Sequence, residues 1–333
     1  MQLTHLLQSK FIRQESDSFV GINLGNYYIK GVIVEGGKAT SYFIERNSNL
    51  SGTVKKLNAD KKIPKKKIKI SVKSPSCLVR YFTFPKMEKK KLSQAIFYEM
   101  NKFIPFEPTE VYFDFFILKE NSPTEAAILL AAAKKNFIDQ IINTFSVEGL
   151  RISEINLDSI CLNNLLLNNY EEAEKINTCI LDIGYNFSTM TILNKGIPFL
   201  TRDFKFSAKD AFQVISRIKS ISLPEVEKWI LSPKNSKEFL KLISDSISGA
   251  CKEIKSSFDY FEVNRGDRVD KVYVSGGLIS VNGLKETFAE SLEVDVEILE
   301  VLSKNEKKFS KAFEEKEFEA FKNSFSAAFG LIL

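Results

Sequence analysis

Apolar and polar positions divide the chain into two halves that begin with the same pattern. FVGINLGNYYIKGVIV (19–34) places an apolar run, a small polar turn and a second apolar run in succession. The same succession recurs in CILDIGYNFSTMTIL (179–193). Two apolar runs around a glycine-containing turn predict a β-hairpin. Because the two hairpins share one frame, [Asp/Asn]-x-Gly-x-x-x-x-[Lys/Thr], the sequence predicts an internally duplicated fold.

The residues between the two hairpins predict a compact α+β insert. Leu92, Ile96 and Met100 recur every four residues between two prolines, which indicates an amphipathic helix. The predicted elements of the insert are strands over 68–72 and 77–84, a helix over 86–103, strands over 111–118 and 126–132, and a helix over 135–147. Farther along, 207–264 is mainly helical in pattern, and 313–333 predicts one amphipathic helix running into an apolar tail.

These patterns predict an α/β protein of two lobes, since 333 residues exceed what one ordinary core holds. The predicted organisation is an N-terminal segment, 1–17; a first-lobe core, 18–67 plus 150–177; an insert subdomain, 68–149; and a second lobe, 178–333, with a helical subdomain at about 207–266. Apolar residues at helical spacing in 1–17 favour a short helix docked on the body or a partner over one lying on a membrane.

Composition and charge narrow the classes of function. Lys and Arg total 47 against 42 Asp and Glu, a net charge of +5 that does not suggest a nucleic-acid partner. The densest basic run, 61–69, is expected to be a solvated loop and strand edge. Four scattered cysteines without a CxxC pair indicate free thiols in a reducing compartment, and a single histidine argues against structural zinc. A cytoplasmic location is expected, because the chain has no apolar run of membrane-spanning length and no signal-peptide core.

The second hairpin carries residues suited to phosphate. A turn opening with Asp and Gly exposes backbone N–H groups that cradle phosphates. Asp182 is placed to hold a hydrated Mg²⁺, Gly184 allows close approach, and the hydroxyl groups of Ser188 and Thr189 add donors. A plain turn is the alternative for this segment alone.

Two further loops repeat this chemistry. The first hairpin offers Lys30 at a spacing that reaches phosphate, although an exposed strand residue is the alternative. In VSGGLISVNGL (274–284), two glycines suit close approach to a base or ribose, and an ordinary strand-to-helix turn is the alternative. The candidates in these two loops are Asn23, Gly25, Asn26, Lys30, Gly276 and Gly277. Three such loops in this order favour a nucleotide site.

The order of the loops resembles the actin, Hsp70 and sugar-kinase superfamily, and the insert resembles that of its cell-division branch, FtsA. Several blocks, among them VRYFTFPKMEKKKLSQAIFYEMNKFIPFEPTEVYFDFFIL (79–118) and LDIGYNFSTMTIL, resemble the PilM family of type IV pilus assembly proteins. This resemblance implies an actin-like, two-lobed ATPase fold in which an FtsA-type α+β insert replaces the small subdomain of the first lobe.

The resemblance also implies a ligand, ATP or ADP with Mg²⁺, in the cleft between lobes. Lys252, Lys255 and Ser256 would flank the purine, and Asp158 stands where the superfamily orients the attacking water, with a helix N-cap as its alternative role. The family's first loop usually begins with Asp, whereas this chain has Asn23. Because an amide removes a charge that helps to order Mg²⁺, we expect an ATP binder with slow or negligible turnover.

The resemblance implies a partner as well, the N-terminal cytoplasmic tail of a PilN-like membrane protein, which would recruit the chain to the inner face of the membrane. Phe103, Ile104 and Phe106 are candidates for its groove, or else they fill the core of the insert. Other pilus assembly proteins are expected partners, and so is a second copy in a homo-oligomer or ring. The alternatives are an FtsA-like polymer-forming protein or type II secretion adaptor, and a sugar or acid kinase.

Overall fold

A computed structural model describes residues 18–64, 67–120, 124–302 and 309–333. The predicted N-terminal segment, 1–17, lies outside them. The chain forms two compact units. The first ends at Asn164 and is rejoined by Ala327–Leu333, whereas the second runs from Leu165 and takes in Phe313–Ser326.

Strands build one five-stranded sheet in each unit and a third sheet in the insert. In chain order they are β1 Phe19–Leu24, β2 Tyr28–Glu35, β3 Lys38–Arg46, β4 Lys67–Val72, β5 Cys77–Pro85, β6 Val111–Glu120, β7 Glu125–Lys134, β8 Ile152–Leu157, β9 Thr178–Asp182, β10 Ser188–Asn194, β11 Ile197–Phe204, β12 Lys271–Ser275 and β13 Asp295–Ile298.

The helices lie between the strands along the chain and after the last of them. They are α1 Leu50–Ala59, α2 Lys89–Glu99, α3 Lys135–Val147, α4 Asp158–Asn169, α5 Ala208–Lys219, α6 Leu223–Ile230, α7 Ser236–Leu242, α8 Ser244–Arg265, α9 Leu284–Leu292, α10 Lys316–Phe321 and α11 Ser326–Ile332.

The two large sheets have the same topology. The first has the order β3-β2-β1-β4-β8 and the second β11-β10-β9-β12-β13. In each, three strands form an antiparallel meander and the next two run parallel to the first strand of that meander. The predicted hairpins are β1–β2 and β9–β10, so the prediction of an internal duplication is confirmed.

The sheet of the insert is built on β7, the central strand of the order β5-β7-β6. The strand over 68–72, predicted as part of the insert, is β4 and lies instead between β1 and β8, because it pairs in parallel with both. Side chains of a strand alternate between faces, so Ile128 and Leu130 pack toward α2 while Leu129 and Ala131 join the core of the first unit. Burial on both faces explains why EAAILLAAAK is almost continuously apolar. The predicted helix over 86–103 is α2 followed by a 3₁₀ turn at Met100–Lys102.

The C-terminal residues depart from the prediction. The prediction of one amphipathic helix over 313–333 is wrong, because the segment is broken into α10, a 3₁₀ turn at Lys322–Ser324 and α11. Residues 327–332 are buried on every side rather than along one stripe. Glycines permit this burial: a β-carbon on Gly21 would lie 2.5 Å from Ile332 of α11, and one on Gly330 would lie 1.8 Å from the Cys161 carbonyl oxygen of α4.

Candidate functional site

The first hairpin turn follows β1 and requires a glycine. A β-carbon on Gly25 would stand 2.5 Å from the Tyr28 carbonyl oxygen and 3.2 Å from the Lys30 ammonium nitrogen. The structure therefore brings Lys30 against the turn, although it lies on the following strand. Asn26, at the tip, is exposed. A turn without a side chain at Gly25 and with the Lys30 ammonium beside it is suited to bind a phosphate group.

A buried polar cluster lies beneath this turn. Asn23 of β1 pairs in register with Ser71 of β4, and Asp158 begins α4 immediately after β8. Since β1, β4 and β8 run parallel, their carboxyl ends meet at one edge of the sheet and bring the three side chains together. Asn23, Ser71 and Asp158 are 2%, 0% and 7% exposed, so the cluster is shielded from water.

The Asn23 amide is the donor at the centre of the cluster. Its nitrogen donates to Ser71 Oγ at 2.9 Å, to Asp158 Oδ1 at 2.9 Å and to Asp158 Oδ2 at 3.0 Å. A buried carboxylate needs such a partner, because leaving it unpaired is strongly destabilising. The predicted water-positioning residue is thus held by the residue that departs from the family's usual Asp. The sequence did not predict a role for Ser71. The one feature that distinguishes it is its hydroxyl group among the buried apolar residues of the strand KIKISV.

The Asp158 carboxylate also acts on a neighbouring thiol. Burial, and secondarily the charge of Asp158, raises the pKa of Cys77 from 9.0 to about 12. Burial likewise raises the pKa of Cys161 and of Cys179. All four cysteines are free, as the sequence predicts. Because the thiolate is the reactive form, these thiols are not suited to be nucleophiles or metal ligands.

We expect Cys77 in the folded protein to be alkylated by iodoacetamide at pH 8 about a thousandfold more slowly than in the unfolded chain. A rise in pKa from 9.0 to about 12 lowers the thiolate fraction by that factor. The rate should climb about tenfold per pH unit while the fold persists. Mass spectrometry of the peptide containing Cys77 measures this rate, and equal rates in the folded and unfolded chain would contradict the prediction.

The second hairpin turn lies between β9 and β10 in the second unit. Gly184 and Tyr185 turn their carbonyl oxygens toward α5, where they accept from Ala208 N at 3.0 Å and Lys209 N at 2.9 Å. Asp182, at the end of β9, pairs in register with Thr189 of β10 and with Ser275 of β12. The two carbonyl groups are therefore held toward the first residues of α5.

The hydroxyl groups predicted to add donors at this turn have partners within the unit. Ser188 is fully buried and donates to the Phe206 carbonyl oxygen. Thr189 donates to Asp203 Oδ1 at 2.8 Å. Both contacts fasten β10 to β11 and to the residues that follow it. The backbone of the turn and Asp182 are consequently the groups best placed to meet a ligand here.

The third loop packs directly on the second hairpin. Ile183 N donates to the Ser275 carbonyl oxygen at 2.9 Å, and Gly276 N donates to the Asn323 carbonyl oxygen at 3.0 Å. Gly276 has φ of +106°, and a β-carbon there would lie 2.1 Å from the Ile183 carbonyl oxygen. The neighbouring Gly277 is exposed. Two of the three predicted loops are therefore one structural feature of the second unit.

Gly276→Ala should lower the free energy of unfolding by about 2–3 kcal/mol, because it adds backbone strain at positive φ to a clash with Ile183. Urea denaturation measures this loss. Gly277→Ala is the matched control: the nearest atom to its β-carbon would be Ser324 Cβ at 3.8 Å, and its effect should stay within about 0.5 kcal/mol. Equal losses in the two variants would show that the close packing of the loops is unimportant.

The predicted purine-flanking residues lie on α8. The Lys255 ammonium contacts Glu293 Oε1 at 2.6 Å, at the end of α9, the helix that follows the third loop. Lys252 and Ser256 are exposed on the same helix, one turn apart. Exposed ion pairs stabilise a fold little, so the Lys255 contact contributes little to the stability of the unit.

The three candidates for the partner groove differ in burial. Ile104 is 4% exposed and belongs to the core of the insert. Phe103 is half-buried and stacks on Phe82 with ring centroids 3.8 Å apart. Phe106 is half-buried, and the Lys134 ammonium lies 4.8 Å from its ring centroid. Phe103 and Phe106 thus present aromatic surface, whereas Ile104 fills the core.

Metal binding and membrane crossing each require a particular arrangement of residues. No group of three or more His, Cys, Asp or Glu side chains in these residues is arranged to hold a metal ion. In the same part of the chain, no helix combines the length and apolarity that crossing a bilayer requires.

Known proteins match the chain over most of its length. The family model described as type IV pilus assembly protein PilM matches residues 23–333. A solved "PilM-PilN type IV pilus biogenesis complex" is similar at a TM-score of 0.81 and 19% identity, covering 94% of this chain and 97% of that chain. The ethanolamine utilization protein EutJ from Carboxydothermus hydrogenoformans follows at a TM-score of 0.58 and 12% identity, covering 99% of this chain and 95% of that chain.

At these identities the structural likeness shows the fold. The predicted actin-like α/β fold is confirmed. The family match favours pilus assembly over the kinase and FtsA-like alternatives.

Proposed function

The chain belongs to the family of the type IV pilus assembly protein PilM, and from this premise we propose that it is a cytoplasmic scaffold that binds ATP with little turnover. Its proposed partner is the N-terminal tail of a PilN-like membrane protein. The hydrogen bond between Asn23 and Asp158 carries the distinction between a scaffold and a working ATPase. A cytoplasmic site of action follows from such a partner.

Nucleotide binding is supported by the two duplicated hairpins. In each turn, two carbonyl oxygens accept hydrogen bonds from residues that follow the third strand of the meander. This arrangement favours presentation of the N–H groups of the turn to phosphate. Lys30 would add a positive charge to the first turn, and Asp182 would hold Mg²⁺ through water at the second. The exposed Gly277 and the α8 residues Lys252 and Ser256 would meet the adenosine.

Slow turnover follows from the state of Asp158. A water-orienting carboxylate must be reached by the attacking water. Here Asp158 is 7% exposed, and the Asn23 amide nitrogen lies against both of its oxygens at 2.9 and 3.0 Å. Mg²⁺, when bound, would neutralise phosphate charge, but Asn23 adds no anionic group to order its waters. Binding through backbone N–H groups is unaffected, so ATP would stabilise a conformation rather than drive a cycle.

The partner site is proposed on the insert. Among the described residues, β5 and β6 are the outer strands of the three-stranded sheet. An extended peptide adds to such an edge through main-chain hydrogen bonds and places alternate side chains in apolar pockets. Phe103 and Phe106, half-buried beside this sheet, are suited to line such a pocket. Ile104 would support them from the core.

Calorimetry on the purified full chain tests both halves of the proposal. ATP with Mg²⁺ should bind with measurable heat, and a synthetic tail peptide of the PilN-like protein from the same organism should bind at a second site. A scrambled tail peptide is the control. Absence of ATP binding would overturn the nucleotide half, absence of peptide binding the partner half, and rapid phosphate release the scaffold role.

A further inference from the structure

We propose that Asn47, just after β3, is a positioning residue that holds the first hairpin turn in its phosphate-binding form. This inference rests on the proposed nucleotide binding and extends it to a residue outside the three predicted loops. Asn47 contacts the turn twice. Its side-chain nitrogen donates to the Gly25 carbonyl oxygen at 2.9 Å, and its backbone nitrogen donates to the Tyr27 carbonyl oxygen at 2.8 Å.

Both contacts act on carbonyl groups of the turn. A carbonyl oxygen facing an anion would repel it, whereas a backbone N–H group attracts it. With the carbonyl groups of Gly25 and Tyr27 both bound to Asn47, neither is free to rotate toward the ligand side. The adjacent Arg46 guanidinium lies 4.9 Å from the Tyr27 ring centroid, so the same stretch of chain also fixes a side chain of the turn.

In the second unit, different donors bind the carbonyl groups of the turn. There the carbonyl oxygens of Gly184 and Tyr185 accept from Ala208 N and Lys209 N, the first two N–H groups of α5. In both units the donors come from the residues that follow the third strand of the meander. Two carbonyl groups are bound in each turn, although the donors differ between the units. This repetition indicates that a phosphate-binding turn requires its carbonyl groups to be bound.

In the first unit Asn47, rather than the helix that follows, supplies both donors. α1 begins only at Leu50, and its cap, Asn49 Oδ1, accepts from Gly52 N at 2.7 Å. Asn47 therefore holds the first turn from outside the helix, whereas the first residues of α5 hold the second turn. The Asn47 amide oxygen is buried and has no hydrogen-bond partner among the described groups. The donor side of the amide is therefore the side that the structure uses, and only the donor side fits the Gly25 carbonyl.

The test compares three variants of the full chain by calorimetry. Asn47→Ala removes the side-chain donor, and Asn47→Asp keeps the size but replaces the donor by an acceptor. ATP affinity should fall about tenfold in the first and further in the second, while AMP affinity, measured by competition with ATP, should fall by less than about twofold. Asn49→Ala is the control: it removes the α1 cap and should lower thermal stability without changing the ratio of ATP to AMP affinity.

A residue with a purely structural role would lower stability and leave the ATP to AMP ratio unchanged, and this result would overturn the inference. Wild-type protein that fails to bind ATP would instead overturn the proposed function. If the variants do not fold, hydrogen exchange of the wild-type chain tests the same assignment. The Asn47 backbone amide should exchange more slowly with ATP bound than with AMP bound, and equal exchange under saturating ATP and AMP would count against the assignment.

Discussion

Asn23→Asp is expected to lower the free energy of unfolding of the metal-free protein by about 3–5 kcal/mol. The substitution replaces the donor that holds Asp158 at 2.9 and 3.0 Å by a second carboxylate at the same place. Two carboxylates about 3 Å apart cannot both be ionised at low energy, so one of the two pKa values of the pair is raised. Urea denaturation in EDTA measures the loss.

The same variant should gain a response to divalent cations. Mg²⁺ placed between two carboxylates relieves their repulsion, so millimolar Mg²⁺ should restore much of the stability of Asn23→Asp and leave the wild type unchanged. With ATP present, the variant should also hydrolyse the nucleotide faster than the wild type. Thermal denaturation with and without Mg²⁺, together with a phosphate-release assay, measures the two effects.

Acid should weaken the effect of this substitution. A carboxyl whose folded-state pKa is raised is destabilising when ionised, so the loss is complete above that raised pKa. It fades as the pH falls toward about 4, where the unfolded chain is protonated as well. The variant and the wild type should therefore converge in stability as the pH is lowered.

Asn23→Ala is the control that separates lost hydrogen bonds from added charge. It removes the Asn23 hydrogen bonds from the buried Asp158 carboxylate and should be destabilised to a similar degree. It offers no second carboxylate, so Mg²⁺ should not rescue it. Rescue of both variants by Mg²⁺, or of neither, would contradict the assignment of this cluster.

Gly330→Ala should lower the free energy of unfolding by about 3 kcal/mol. The added β-carbon would lie 1.8 Å from the Cys161 carbonyl oxygen and 2.4 Å from its carbonyl carbon. These are backbone atoms of α4 and cannot move aside as a flexible side chain can. The variant must therefore separate α11 from α4, and because α11 also packs on β1 through Gly21, the loss reaches the central sheet of the first unit.

Gly249→Ala is the matched change in another helix. No heavy atom lies within 4 Å of its β-carbon position on α8, so alanine adds helix propensity without a clash. This variant should be more stable than the wild type by about 0.5–1 kcal/mol. Urea denaturation of both variants should give shifts of opposite sign, and shifts of the same sign would contradict the packing described for α11.

Much of the fold was accessible from the pattern of the chain. Apolar runs on either side of Gly25 and Gly184 identified both hairpins, because a strand–turn–strand unit is encoded locally by two apolar segments and by a residue that tolerates the turn. The helical period around Ile96 identified α2. The break between α10 and α11 was missed, since α11 is buried on all sides and lacks the polar stripe by which an amphipathic helix is recognised.

The site was predictable only in its local parts. Asp182 and Gly276 could be proposed from their turns, but their loops share one site because β9 and β12 are paired in register. The structure paired the side chains of Ser188 and Thr189 with Phe206 and Asp203, which no spacing rule anticipates.

The sequence by itself determined the duplicated hairpins and the substitution of Asn for the family's usual Asp at position 23. Only the tertiary structure decided what that Asn does, because its partner Asp158 is 135 residues away along the chain. Asn47 likewise acquires its contacts with Gly25 and Tyr27 when β3 pairs with β2. Hydrophobic period is a local property, whereas a buried hydrogen bond depends on which strand ends the fold brings together.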